Sequence, residues 1–172
     1  AIFTLETSRP ALGVYSVYAS LMAIGLEGYR RLVANALRMA VLLRTRLEAL
    51  ENCKVLNMDA AGPHGGWWVL PKGRDAKAAY RQIVNGEMSP EKAARFFEES
   101  KRLFDRRTRS LTRNDPRLSH ATDIGYRPHG IPLPAWKAVI FNPKTDEKDI
   151  DAIVRGIEED RKSTRLNSSH GK

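Results

Sequence analysis

The sequence predicts an α+β fold in which helices cover one face of a small sheet. Two observations lead to this prediction. From residue 29 onward the local patterns are, in order, helix, strand, strand, helix, helix, strand and helix. Residues 1–28 do not belong to that layer, and we interpret them as the end of a preceding domain. We therefore divide the chain into 1–28, a small α+β domain at 29–159 and a polar tail at 160–172.

The first segment begins with a predicted short strand at 2–5, where branched and aromatic residues follow one another. Arg9 and Pro10 separate this strand from residues 11–25, which are apolar almost all round. Such a pattern is typical of a helix that is buried or packed on a partner chain. Gly25 is expected to end this helix.

The longest helix is predicted at 27–50, because apolar residues recur there at helical spacing. Arginines occupy other positions of the same segment, and we expect them to form a solvated face. The apolar positions are Leu32, Val33, Ala36, Leu37, Ala40, Val41, Leu43, Leu47 and Leu50. The arginines are Arg30, Arg31, Arg38 and Arg44.

In the domain at 29–159, strands are predicted at 54–58, 67–70 and 135–142. Residues 113–134 are expected to be mostly loop, with a strand at 121–126 as an alternative for part of it. The strand at 135–142 has the clearest strand pattern in the chain. The first two are joined by the glycine- and proline-containing sequence DAAGPHGG, which indicates a turn.

Three further helices are predicted. One covers 75–84, and the next runs from a Ser89 cap and a first-turn proline, Pro90, to about residue 109. The last helix is expected to be capped by Thr145. Its apolar residues Ile150, Ile153, Val154 and Ile157 share one face.

The composition limits the function classes. The chain has a single cysteine, Cys53, which excludes an internal disulfide and a cysteine-rich metal site and favours a reducing, cytoplasmic setting. No apolar run has the length of a membrane span. The formal charge of +9 raises the hypothesis of nucleic-acid binding, although no aromatic platform or known binding motif accompanies it.

The tail at 160–172 carries a net charge of +3, which leaves +6 for residues 1–159. Its sequence DRKSTRLNSSH resembles the in-frame translation of a common sequencing adapter. We therefore expect residues 160–172 to be artefactual or disordered, and to have no part in the fold.

The remaining reactive residues give weak signals. His64, His120 and His129 are widely spaced, so a metal site is not expected. Cys53 is adjacent to a lysine, but a quiet structural cysteine is the favoured interpretation. Trp67 and Trp68 point to opposite faces of one strand, so we expect one in the core and the other at a surface or interface.

Arg9 is the residue with the most specific setting. Pro10 restricts its backbone, and an arginine held at such a corner can bind a carboxylate with two parallel hydrogen bonds. A structural role, in which Arg9 pairs with Glu6 or caps backbone carbonyls, fits the local sequence equally well.

Three segments resemble group II pyridoxal-phosphate-dependent amino-acid decarboxylases. These are TLETSRPALG, LMAIGLEGYRRLV and the ending WKAVIFNPKTDEKDIDAIVRGIEE. The resemblance covers residues 1 to about 159, and it is weakest at 74–130. It implies a fold type I enzyme that is an obligate homodimer. This chain would then hold the end of the large cofactor domain and the whole C-terminal small domain.

The resemblance also implies a role for Arg9, which would bind the α-carboxylate of an L-amino-acid substrate. Holding this group perpendicular to the cofactor ring orients the bond that breaks. Ser8 and Thr7 are expected to line the same site. In the family the lysine that carries pyridoxal phosphate lies upstream of the SRP segment, so this chain alone is expected to be inactive.

Alternatives remain open at this stage. A second interpretation is another fold type I enzyme, such as a carbon–carbon lyase of the sphingosine-phosphate lyase type or an aminotransferase. A third is a basic, non-enzymatic α+β module that binds nucleic acid. Within the favoured class, glutamate, diaminobutyrate, aspartate and aromatic amino acids are all candidate substrates.

Overall fold

The structure is a computed structural model that describes residues 12–110 and 118–166, with side chains described at 15–109 and 118–158. The chain divides into two compact units, Ala1–Asn35 and Ala36–Lys172. The predicted strand at 2–5 lies outside the described residues.

Helix α1 spans Leu12–Glu48 and is interrupted at Gly25, whose backbone angles are φ 66° and ψ 176°. A positive φ costs glycine little, because it has no Cβ to meet the backbone. The prediction that the first helical segment ends at Gly25 is therefore confirmed. The helical spacing of 27–50 is confirmed as well, although only its last part is buried.

The second unit contains a four-stranded antiparallel sheet in the order β1-β2-β4-β3. The strands are β1 (Cys53–Val55), β2 (His64–Val69), β3 (Ser119–Ala121) and β4 (Ala135–Val139). Strands occur at three of the expected places, although β1 and β4 are shorter than expected and β2 begins three residues earlier. The expected strand at 121–126 is wrong, because β3 ends at Ala121 and the chain then turns, with the Gly125 N–H bonded to Asp123.

Helices α2 (Ala76–Val84) and α3 (Pro90–Ser110) agree closely with prediction. The Ser89 hydroxyl accepts a hydrogen bond from the Lys92 backbone N–H at 3.3 Å, so the predicted cap of α3 is confirmed. Asp75 caps α2 in the same way, accepting from the backbone N–H groups of Lys77 and Ala78 at 2.9 Å.

Helix α4 spans Glu147–Leu166, and two expectations about it are wrong. Its cap is Asp146, which accepts from the N–H groups of Lys148 and Asp149, whereas Thr145 was predicted. Asp149 in turn accepts from the Asp146 N–H at 3.1 Å, so the two aspartates cap each other's backbone. The helix also passes residue 159, because no glycine or proline interrupts it between Ile157 and Leu166.

The prediction that helices cover only one face of the sheet is wrong. On one face, Trp67 and Trp136 lie opposite each other across β2 and β4 and pack in a core with residues of α1 and α4. On the other face, Trp68 packs in a second core with residues of α2. Two consecutive tryptophans in one strand point to opposite faces, so each face needs its own cover.

One of these two tryptophans was expected in the core and the other at a surface or interface. Both are buried, since Trp67 is 0% exposed and Trp68 is 1% exposed. Helix α3 contributes to both cores. Its Phe97 ring lies 5.4 Å from the Trp68 ring, and its Phe104 ring lies 5.2 Å from the Trp136 ring. The second unit thus has hydrophobic cores on both sides of its sheet.

Candidate functional site

The predicted carboxylate site is not among the residues that the structure describes. Arg9, Ser8 and Thr7 lie outside the described residues. Their role in substrate binding stays a prediction. The structure therefore bears on this site only through the residues that come after Arg9 in the chain, from residue 12 onward.

The helical segment that follows Arg9 exposes large apolar side chains. Tyr15 and Met22 are each 69% exposed. An apolar surface on this scale is typical of a segment that binds another surface. The exposed large apolar residues of this segment are Tyr15, Val17, Tyr18, Leu21, Met22, Ile24 and Leu26.

A groove of about 470 Å³ lies on the Trp68 face of the sheet, toward the ends of β2 and β4. Its floor contains small residues, among them Gly66 and Ala135. A Cβ atom added to Gly66 would have only the Asn57 Oδ1 atom within 4 Å, at 3.8 Å, so the space above this residue is open. Leu56, Ile124 and Val139 supply apolar walls.

Two of the polar residues in the groove are already engaged. Asp123 accepts hydrogen bonds from the Gly125 N–H and the Arg127 guanidinium, which lower the pKa of its carboxyl. The Asn57 side chain accepts from the Gly66 N–H at 2.8 Å and donates to the His64 carbonyl at 3.3 Å. These contacts fix the walls of the groove.

Lys137 and His64 are the other two polar residues of the groove. Within the described ranges, neither the Lys137 ammonium nor the His64 imidazole has a hydrogen-bond or ion-pair partner. Lys137 lies opposite Gly66 and His64 opposite Val139, so both side chains stand on the same face of neighbouring strands. The sequence signal for this site is a single lysine in the strand AWKAV, too little to predict a site from the sequence.

Arg44 is not part of a solvated face, which corrects the prediction for this residue. It is 3% exposed, and its guanidinium donates to the carbonyls of Ala60, Gly62 and His64 at 2.8–3.2 Å. Arg44 therefore holds the loop before β2 against α1. The loop itself ends earlier than predicted, because β2 already begins at His64.

Two other arginines of α1 have acidic partners, unlike Arg44, whose partners are backbone carbonyls. Arg31 bonds Glu27 within the same helix, and Arg46 pairs with Asp151 of α4. These contacts give both residues a structural role that requires no nucleic acid.

Cys53 is a buried structural residue, as the favoured interpretation predicted. It is 0% exposed, and burial, reinforced by the negative charge of Glu48, raises the pKa of its thiol far above the ordinary range. A thiol of this kind has little thiolate and low reactivity.

The histidines do not form a metal site in the part of the chain that the structure describes. His64 lines the groove, and the His120 ring lies 5.3 Å from the Phe104 ring. His129 bonds the Val84 carbonyl at the end of α2 at 2.9 Å. Among residues 15–109 and 118–158, no group of three potential ligands could hold a metal ion.

The described residues do not fit a pyridoxal phosphate site. Lys54 donates to Glu48 at 2.9 Å and lies over the Tyr80 ring, so it is committed to structure. The groove does contain Lys137, but its only carboxylate, Asp123, is bonded to Arg127. No carboxylate in the groove is therefore left to face a pyridine nitrogen, which pyridoxal phosphate sites need.

Comparison with models of known protein families gives no match, and comparison with curated proteins finds no similar sequence. Among the residues that the structure describes, no helix combines the length and the apolar character that crossing a membrane requires.

Proposed function

We propose that this chain is the C-terminal part of a pyridoxal-phosphate-dependent L-amino-acid decarboxylase. The complete enzyme is a cytoplasmic homodimer of fold type I, and Arg9 binds the α-carboxylate of the substrate. Ser8 and Thr7 line the same site. The cofactor binds to parts of the enzyme other than the described residues, since those residues offer no fitting site.

The observation that carries this proposal is the apolar surface of residues 15–26. The sequence around Arg9 resembles the decarboxylases, and the helix that follows it exposes apolar side chains such as Tyr18 and Met22. In the proposed enzyme this helix packs against the large domain, so its apolar surface is buried. A helix of an independent small protein has no need of such a surface.

Arg9 has a defined task in this proposal. Its planar guanidinium donates two parallel hydrogen bonds to a carboxylate, which a lysine cannot match. Binding the carboxylate at two points fixes its orientation as well as its position. Orientation of a reacting group contributes to catalysis, because it removes rotational freedom before the reaction begins.

The proposal is tested on the longest reading frame that contains residues 1–159. We expect its upstream part to contain a His-Lys pair, and the purified enzyme with pyridoxal phosphate to release carbon dioxide and an amine from an L-amino acid. The 172-residue chain should give no product under the same conditions. Turnover by the 172-residue chain alone would contradict the proposal.

Product analysis separates this proposal from the other fold type I reactions. A carbon–carbon lyase of the sphingosine-phosphate lyase type would give an aldehyde without carbon dioxide, and an aminotransferase would give a keto acid. Binding to nucleic acid that survives deletion of residues 160–172, without any of these products, would instead support the basic binding module.

A further inference from the structure

We propose that the groove on the Trp68 face of the sheet binds a small organic carboxylate with an apolar body. This site is independent of Arg9, and the inference does not rest on the proposed decarboxylase function. It rests on the shape of the groove, on its apolar walls and on two polar side chains that have no partner among the described residues.

The groove has the size of a small-molecule site. Its volume of about 470 Å³ lies within the range of ligand pockets, which is roughly 300–1,000 Å³. Gly66 leaves its floor open, and Leu56, Ile124 and Val139 line it with apolar atoms. An apolar ligand body can therefore lie against the sheet and leave water.

The unengaged polar groups determine the charge of the ligand. Lys137 carries a positive charge, and His64 offers a ring nitrogen as a second donor. They occupy diagonal positions on neighbouring strands, which are about 7–8 Å apart at the backbone and within reach of long side chains. Two donors on one side of a groove match the two oxygens of a carboxylate.

A phosphate fits this groove less well than a carboxylate. The Asp123 carboxylate lines the same groove and repels a dianion, although Arg127 neutralises part of its charge. The backbone N–H groups of Gly66 and Lys137 lie in paired strands and do not form a phosphate-binding loop. One lysine therefore suits a monoanion.

Nuclear magnetic resonance of the isotope-labelled full chain tests this inference, with phenylbutyrate as the probe. We expect saturable shifts of the amide signals of Gly66, Lys137 and Ala138. Lys137→Ala should weaken binding about tenfold, the loss expected for one charge-assisted hydrogen bond. The matched control is Lys144→Ala, because Lys144 is also an exposed lysine but lies outside the groove.

Two further comparisons make the result decisive. Phenylbutyramide has the same apolar body without the charge and should bind about tenfold more weakly than phenylbutyrate. Gly66→Val should block binding while the chain stays folded, since its Cβ meets no close atom. Equal binding of the acid and the amide would overturn the inference and identify an apolar contact surface. An absence of saturable shifts, or unchanged binding by Lys137→Ala, would also overturn it.

Discussion

The two ends of helix α1 differ in what surrounds their apolar side chains. Near its end, Met39, Leu43 and Leu47 are fully buried in the core beside Trp67. Near its beginning, Tyr15 and Met22 are mostly exposed. Both segments have a helical pattern of apolar residues, but the side chains of the later one are buried and those of the earlier one are exposed.

This difference shows which part of the chain is stabilised by its own internal contacts. The second unit buries apolar side chains on both faces of its sheet, so its stability comes from its own cores. The apolar surface of residues 15–26 is exposed. It therefore contributes to stability only when another surface covers it, and substitutions at the two ends of α1 should have very different effects.

The largest expected effect is at the buried end of α1. Leu43→Ala should lower the free energy of unfolding by about 2–5 kcal/mol, because it removes apolar contacts and leaves a cavity. Leu26→Ala is the matched control. Leu26 is 65% exposed, so this change should cost less than about 0.5 kcal/mol. Urea denaturation of both variants measures the difference.

The same two variants can disprove the difference between the two ends of α1. If Leu26→Ala destabilises the 172-residue chain as much as Leu43→Ala, the beginning of α1 is buried in solution and the comparison fails. In the proposed complete enzyme we expect Leu26→Ala to become destabilising, because its side chain would then be covered.

A smaller effect is expected for the arginine that holds the loop before β2. Arg44→Met should destabilise the chain by about 2–3 kcal/mol, since three carbonyls lose their charged donor in a buried place. Arg38→Met serves as the control, because Arg38 is exposed on the same helix. Equal stability of the two variants would mean that Arg44 is solvated, as its sequence pattern first suggested.

The cap of α4 should have an effect of about 1 kcal/mol. Asp146→Ala removes the acceptor of two backbone N–H groups at the helix start. Thr145→Ala, one residue earlier, should cost less. Thermal unfolding of the two variants shows which substitution lowers the stability more. A larger loss of stability for Thr145→Ala would mean that Thr145 is the cap, as the sequence predicted.

The smallest expected effect is a pH dependence at His120. Burial of the imidazole, together with the charge of Lys101, lowers its pKa below 6.5, and Asp105 opposes this shift. As the pH falls through 6.5, the unfolded state therefore takes up a proton at His120 before the folded state does. Stability decreases as the pH falls. His120→Gln should flatten the stability profile between about pH 7 and pH 5. A profile that is unchanged by the substitution would contradict this explanation.

Much of the fold could be predicted from local signals. Ser89 and Pro90 mark the start of α3 because a cap acts within one turn. The strand around Trp136 was clear because its apolar run is short and is stopped by proline. Gly25 was recognised as a helix end because only glycine accepts its backbone angles at low cost.

The cap of α4 was placed one residue too early, at Thr145, but the larger errors concern contacts between residues that are distant in the sequence. The buried role of Arg44 depends on carbonyls 16 to 20 residues away, which no local pattern indicates. The burial of Trp68 depends on Phe97 of α3, and so the second covered face of the sheet was missed. The groove beside Lys137 was missed for the same reason, since β2 and β4 meet only in the folded chain.

The prediction at Arg9 depends on a resemblance, and its strongest test is chemical. We would measure carbon dioxide release from glutamate, diaminobutyrate, aspartate and aromatic L-amino acids by the proposed complete enzyme. Wild type, Arg9→Met and the distant control Arg38→Met would be compared at equal cofactor content. We expect release from one of these substrate classes by the wild type and by Arg38→Met.

Arg9→Met should lower kcat/KM by about tenfold or more, because the substrate carboxylate loses a charged, two-point partner. Wild-type activity in Arg9→Met would show that Arg9 does not bind the carboxylate. No carbon dioxide from any of the substrates with the wild-type enzyme would contradict the decarboxylase function itself.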